Sequence, residues 1–143
     1  ILLIVGDGNQ RTYLEELSRV LGIDAHIYWL GKIEEISEFL STLDLFVFTS
    51  RGEGFGLVLL EAMLASKPIL AANNSAIPEV LGKDYSGLFE TSNSTELASK
   101  ISRLMTSSNY ALELINSYKQ QIDLFSPDFM SKSVKEAYEF YGF

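Results

Sequence analysis

Leu45-Phe-Val-Phe-Thr-Ser50-Arg-Gly-Glu-Gly-Phe55-Gly-Leu-Val-Leu-Leu60-Glu-Ala-Met-Leu-Ala-Ser66 decides how the rest of the chain is read. Leu45 to Thr49 is a short apolar, aromatic run, the pattern of a buried strand. Ser50 to Gly56 follows, and its glycines, Gly52, Gly54 and Gly56, make a loop that turns tightly and lets another molecule come close to the backbone. From Leu57 the spacing is helical, and it predicts Leu57, Leu60, Leu64 and Ala65 on one side. The unit is strand, glycine loop, helix.

The first turn of a helix has amides without intrahelical partners and carries the positive end of the helix dipole. The N–H groups from Gly56 to Val58 therefore suit a phosphate, with no lysine required. Two carboxylates frame the loop. Glu53 stands at its mouth, and Glu61 is the single charged residue between Gly54 and Ser66. A carboxylate among apolar groups costs on the order of several kcal/mol unless donors satisfy it. Glu61 either lies on a solvated stripe, pairs with a distant arginine, or accepts hydrogen bonds from a diol such as a ribose. Glu53 reads either as a helix-capping acid or as a ligand for sugar hydroxyls.

Glu53-Gly-Phe-Gly-Leu-Val-Leu-Leu-Glu61 resembles the E-x7-E motif of retaining glycosyltransferases of the two-domain GT-B fold, the group usually called family 4. The likeness continues in order along the chain through Val5-Gly-Asp-Gly8, Leu30-Gly31, Asp44, Pro68-Ile-Leu70, Ala76-Ile-Pro-Glu-Val80, Gly87-Leu-Phe89 and the Leu97–Leu104 segment. The resemblance implies a catalytic-site role for Glu53 at the donor sugar. It implies donor binding by Gly54, Phe55, Gly56, Leu57 and Val58, with Glu61 on the ribose, and it places the nucleobase against Gly31, Lys32 and Ile33. The substrate would be a UDP-, GDP- or ADP-sugar, with no cofactor and no metal. The acceptor, a glycan, lipid or small molecule, would be held by an N-terminal domain that this chain lacks. Also absent by this comparison are a first strand and loop carrying an arginine and a lysine for the diphosphate. The resemblance implies a cytoplasmic protein and admits peripheral association with the inner face of a membrane. Two departures stand out: Thr49 replaces a common proline, and Ser66 replaces a common glycine after the helix. Two alternatives keep the same fold, a noncatalytic nucleotide-binding domain and a sugar-nucleotide epimerase.

Composition narrows the classes. The 143 residues are 47% apolar and 21% charged, enough for one domain of 1–143 with a sizeable core. There is no cysteine, which excludes disulfides and thiolate metal sites. A net charge of −8 argues against a nucleic-acid partner and leaves an anionic donor in need of local positive potential, to which Arg51, Lys32 and Lys67 are candidate contributors. No apolar run approaches the ~20 residues that span a bilayer.

Short strands alternating with helices predict a Rossmann-like, doubly wound parallel sheet with helices on both faces. Ile1–Val5, Ala25–Leu30, Leu45–Thr49, Ile69–Ala72 and Gly87–Phe89 are the predicted strands. His26, the only histidine, reads as a surface or edge residue of the second strand. Tyr13, Leu14, Leu17, Val20 and Leu21 form one face of a helix that Gly22 ends. Ile33 to Leu43 is a short amphipathic helix. Ser75 is a candidate cap for a helix containing Pro78, and Asn93 or Ser94 for the Leu97–Leu104 helix. Two more helices are expected over Tyr110–Leu124 and Asp128–Phe140. Tyr138, Phe140, Tyr141 and Phe143 give the last one an apolar load that reads as packing on the domain; the resemblance implies instead a helix that crosses back to the other domain and leaves part of that face uncovered here.

Overall fold

The structure, a computed structural model, describes residues 1–141. Phe143 and the side chain of Tyr141 fall outside the described part. The chain divides into two compact units, Ile1–Phe39 and Leu40–Phe143.

The first unit holds β1 (Leu2–Val5), α1 (Arg11–Val20), a 3-10 turn over Asp24–His26 and β2 (Ile27–Gly31). The two strands pair in parallel, Leu2 opposite Ile27 and Ile4 opposite Trp29. His26 lies in the 3-10 turn rather than in a strand, because the chain closes one more local hydrogen bond, His26 N–H to the Ile23 carbonyl at 2.9 Å, before it extends. Gly22 ends α1 as expected. It sits at φ +67°, its N–H reaches the Arg19 carbonyl, and that of Ile23 reaches Ser18, both at 3.0 Å. The apolar face of α1 stays open, with Tyr13, Val20 and Leu21 exposed and Ser18 its one buried residue. An amphipathic pattern states which face favours cover; it does not state what provides it.

The helix α2 (Ile36–Ser41) crosses the division between the units. In the second unit follow β3 (Phe46–Phe48), α3 (Leu57–Leu64), β4 (Ile69–Ala72), α4 (Ile77–Leu81), β5 (Leu88–Phe89), α5 (Ser94–Thr106), α6 (Ser108–Leu124) and α7 (Pro127–Tyr141). Its sheet has the order β3-β4-β5, parallel throughout. The expected parallel α/β architecture is therefore present, divided into a pair of strands and a triplet. Every residue of β4 is buried, while β3 is half-buried and not the fully buried strand expected.

Helices pack against this triplet through Leu59, Ala62, Met63, Ile77, Val80, Leu81, Leu104 and Leu114. The face of α3 differs from expectation. Leu59, Ala62 and Met63 are buried, whereas Leu57 and Leu64 are each 69% exposed. Seven of the eight residues from Leu57 to Leu64 are apolar, so periodicity carries almost no information about which side turns inward.

Three tyrosines fasten α6 and the β5 approach to the sheet. Tyr118 Oη donates to the Lys67 carbonyl at 2.8 Å, Tyr85 Oη to Ile69 at 2.7 Å and Tyr110 Oη to Ser86 at 3.3 Å. Burial raises all three phenols, Tyr118 to about 12. Between them the chain passes through Gly87, where a Cβ would stand 2.3 Å from the Ile69 carbonyl oxygen. Asn93 caps α5 by accepting from the Glu96 N–H at 3.0 Å. Ser75, by contrast, does not cap α4: it sits at φ +50°, and Ala76 occupies the cap position without a side-chain bond. On α7 the apolar residues Phe129, Met130, Val134, Tyr138 and Phe140 are exposed.

The end of α3 generates a prediction. Ser66 adopts φ +54°, with its N–H on the Met63 carbonyl at 2.9 Å and that of Lys67 on Ala62 at 3.1 Å, the arrangement in which glycine is preferred. A left-handed non-glycine residue costs roughly 1–2 kcal/mol, offset in part by glycine's greater freedom when unfolded. Ser66→Gly is therefore expected to stabilise the chain by about 0.5–1 kcal/mol, read as a higher midpoint in thermal unfolding.

Candidate functional site

The carboxyl ends of β3, β4 and β5 lie together, as a parallel sheet requires, and this is the edge at which such sheets bind ligands. Leaving β3, the chain runs through Ser50 and the glycine loop into α3. Gly56 makes the junction. It has φ +81° and ψ +55°, and a Cβ there would stand 3.2 Å from Leu59 Cδ1 and 3.7 Å from Phe48 Cε1. Both requirements, a left-handed backbone and no side chain, select glycine.

The turn at Gly56 sets the amides. Its carbonyl accepts from Leu59 N–H at 2.8 Å, closing the first turn. Among the described residues no protein acceptor takes the N–H groups of Phe55, Gly56, Leu57 or Val58, and no side chain caps the helix. An exposed helix start without a cap is a place where an anion gains both hydrogen bonds and the dipole.

Glu53 is half-buried, and its Oε1 accepts from Ser50 Oγ at 2.7 Å. Glu61, in the second turn of α3, is also half-buried. No ion pair to a described lysine or arginine engages it, so the expected alternative of an arginine partner is not what the structure holds. Phe55 reaches from the loop to Phe125, just past the end of α6, in an edge-to-face contact with centroids 5.3 Å apart. Gly54 is exposed at the loop tip.

Of the residues singled out from sequence, Glu53, Gly54, Phe55, Gly56, Leu57, Val58 and Glu61 thus share one loop and the helix that follows it. Gly31, Lys32 and Ile33 belong to the first unit, directly after β2, where Gly31 takes φ +64° and its carbonyl accepts from Gly6 N–H at 2.7 Å. Arg51 is exposed on the loop. Lys67 is a correction. It follows the C-terminus of α3, a full helix length from the free amides, and its Nζ donates to the Ser41 carbonyl at 2.6 Å. Proximity in sequence to the helix conceals that it sits at the wrong end.

Two residues escape the sequence reading. Asn74, after β4, donates from Nδ2 to the Ser50 carbonyl at 3.0 Å and to Thr91 Oγ1 at 2.9 Å. Its Oδ1 is buried with no partner, a loss of about 1–3 kcal/mol for an unsatisfied group. Ser50 is the second. The signal that could have found both is a polar residue standing just beyond a buried strand. A hollow of about 350 Å³ lined by Glu90 to Thr95 opens beside Thr91 and takes in neither glutamate.

The family model described as glycosyl transferases group 1 matches residues 1–121. The chain is 36% identical over 105 residues to N-acetyl-alpha-D-glucosaminyl L-malate synthase of Bacillus anthracis, covering 73% of this chain and 28% of that protein. It is 28% identical over 114 residues to the N,N'-diacetylbacillosaminyl-diphospho-undecaprenol alpha-1,3-N-acetylgalactosaminyltransferase of Campylobacter jejuni, covering 79% and 30%. Among solved structures, Anabaena HepE in complex with UDP superposes with a TM-score of 0.81 at 26% identity, covering 96% of this chain and 40% of that one. The chain thus spans less than half the length of these relatives. Among the described residues no helix is long and apolar enough to cross a membrane.

The geometry at Gly56 carries its own test. Gly56→Ala forces a left-handed alanine against the fully buried Leu59, and is expected to destabilise the chain by about 2 kcal/mol. Chemical denaturation of the two forms measures the difference.

Proposed function

The chain belongs to the family of glycosyl transferases group 1, and from that membership we propose that it is the nucleotide-sugar-binding part of a retaining glycosyltransferase. The reaction moves a sugar from a nucleoside diphosphate to an acceptor hydroxyl with its anomeric configuration kept. The observation that carries the reading is the uncapped start of α3 behind Gly56, with its four unpartnered amides and a half-buried glutamate on either side.

In this proposal the N–H groups of Phe55, Gly56, Leu57 and Val58 take the diphosphate and sugar oxygens. They are aimed before the donor arrives, so the charge that develops on the leaving diphosphate meets fixed dipoles without reorganisation. Glu61 accepts from the ribose diol, and Glu53 from the hydroxyls of the sugar. Gly31, Lys32 and Ile33 receive the nucleobase. That Anabaena HepE matches in its UDP complex supports a nucleoside diphosphate as the ligand. The acceptor, glycan, lipid or small molecule, is the business of the remainder of a longer protein.

Two outcomes test the assignment in the full-length protein. Glu61→Ala is expected to weaken UDP or GDP binding about tenfold by calorimetry, since a hydrogen bond to a charged group is worth roughly 1.5–3 kcal/mol. Glu53→Ala is expected to leave nucleotide affinity within about twofold and to lower the transfer rate on the order of a hundredfold, as for a contact made to the reacting sugar. Equal, negligible effects of both changes would remove the site. Because free helix amides can take the place of a cation at a diphosphate, transfer is expected to persist in excess EDTA; its abolition, restored by a divalent ion, would refute that point.

A further inference from the structure

The amide of Asn74 joins three strand ends. Asn74 lies on the turn after β4, Ser50 follows β3, and Thr91 follows β5. One Nδ2 group donates to both of the others, to the Ser50 carbonyl at 3.0 Å and to Thr91 Oγ1 at 2.9 Å. Thr91 Oγ1 in turn lies 3.5 Å from the Asn73 carbonyl, which closes the link. Ser50 passes the constraint forward, because its own hydroxyl donates to Glu53 Oε1 at 2.7 Å.

The assignment of the amide is forced by its partners. The Ser50 carbonyl only accepts, so the nitrogen faces it and Oδ1 is left on the other side, buried and without a partner. An acceptor orphaned in this way is a cost that packing alone does not explain. What the side chain achieves is location: it holds the backbone of Ser50, and Ser50 holds one oxygen of a carboxylate that is otherwise on a glycine loop with few ties.

We infer that Asn74 is a positioning residue for transfer, fixing the Glu53 carboxylate through Ser50 at the edge where β3, β4 and β5 end. The inference rests on the transferase reading, since it gives Asn74 a role toward a group proposed to meet the donor sugar. With Oε1 held by Ser50, Glu53 keeps one orientation, and Oε2, which takes no bond from the described residues, is the oxygen left for a sugar hydroxyl. A carboxylate released from that hold would still be present but would spend less time in the productive orientation.

The test uses the full-length protein and two variants. Asn74→Asp keeps the shape and removes the donors; Asn74→Ala removes the side chain without adding charge. Release of nucleoside diphosphate is followed over a panel of UDP-, GDP- and ADP-sugars. Both variants are expected to lower kcat about tenfold and leave the donor KM within about twofold. In a Glu53→Ala background, either change at Asn74 is expected to lower kcat by less than about twofold further, because the group it positions is gone. In a crystal structure of Asn74→Ala, Ser50 Oγ is expected to stand beyond hydrogen-bonding distance of Glu53 Oε1. An Asn74→Asp protein with unchanged kcat, the same tenfold loss with and without Glu53, or an intact Ser50–Glu53 hydrogen bond in the variant would each overturn the inference. A wild-type protein that turns over no member of the panel would overturn the transferase reading and the catalytic role with it. The crystal comparison would still tell that failure apart from a missing link between Asn74 and Glu53.

Discussion

Complete burial of β4 is the constraint on which the second unit depends. Its four residues are at most 1% exposed, so every polar group along it has to be met by protein. The sheet bonds to β3 and β5 meet the middle. At the entry, where sheet bonding runs out, the phenols of Tyr118 and Tyr85 supply donors to the Lys67 and Ile69 carbonyls. At the exit, Asn74 turns the chain and links it to its neighbours. One strand thus decides where α6 packs, why Gly87 is bare, and where the ends of β3 and β5 stand.

The glycine loop is then placed by a second requirement, the left-handed Gly56. The chain leaving β3 passes through eight loop residues and enters α3 through Gly56, around which the space is already taken by Leu59 and Phe48. The result is a helix whose start is not capped by its own sequence. In most proteins serine, threonine or aspartate fills that position; here glycine leaves the amides open, which costs stability and suits an anionic ligand. Glu53 and Glu61, by their half-burial, fit the same logic of groups placed for something other than the protein's own packing.

Much of this is legible in the sequence because it rests on local rules. Strand, loop and helix between Leu45 and Ser66 follow from composition and spacing, and the ends of α1 and α3 follow from Gly22 and from Lys67-Pro68. Asn93 is recognisable as a cap because asparagine just before a helical pattern can accept from a first-turn amide, as it does from Glu96 N–H. Failures have equally definite causes. The inward face of α3 does not show in its pattern because a helix apolar all round has no preferred side. Ser75 looks like a cap, yet its left-handed backbone hands that position to Ala76. The role of Asn74 depends on residues 24 positions before it and 17 after it, a relation that no window of sequence contains. The division of the strands into a pair and a triplet is likewise a property of pairing, to which periodicity is blind.

The distribution of chromophores follows from the same architecture. The only tryptophan, Trp29, lies on β2 in the first unit, with the Arg11 guanidinium 6.0 Å from its ring centroid. The phenols held back from ionisation, Tyr85, Tyr110 and Tyr118, all belong to the second. An unfolded chain gives up phenolic protons near pH ~10, while the folded second unit retains these three beyond that point. Its stability is therefore whole below about pH 10 and drains away as alkali pulls them off. Phenolate absorbance draws on both units, since Tyr13 and Tyr28 lie in the first, but indole emission reports on the first unit alone, and comparing the two in one unlabelled sample reveals whether the halves melt together or in turn.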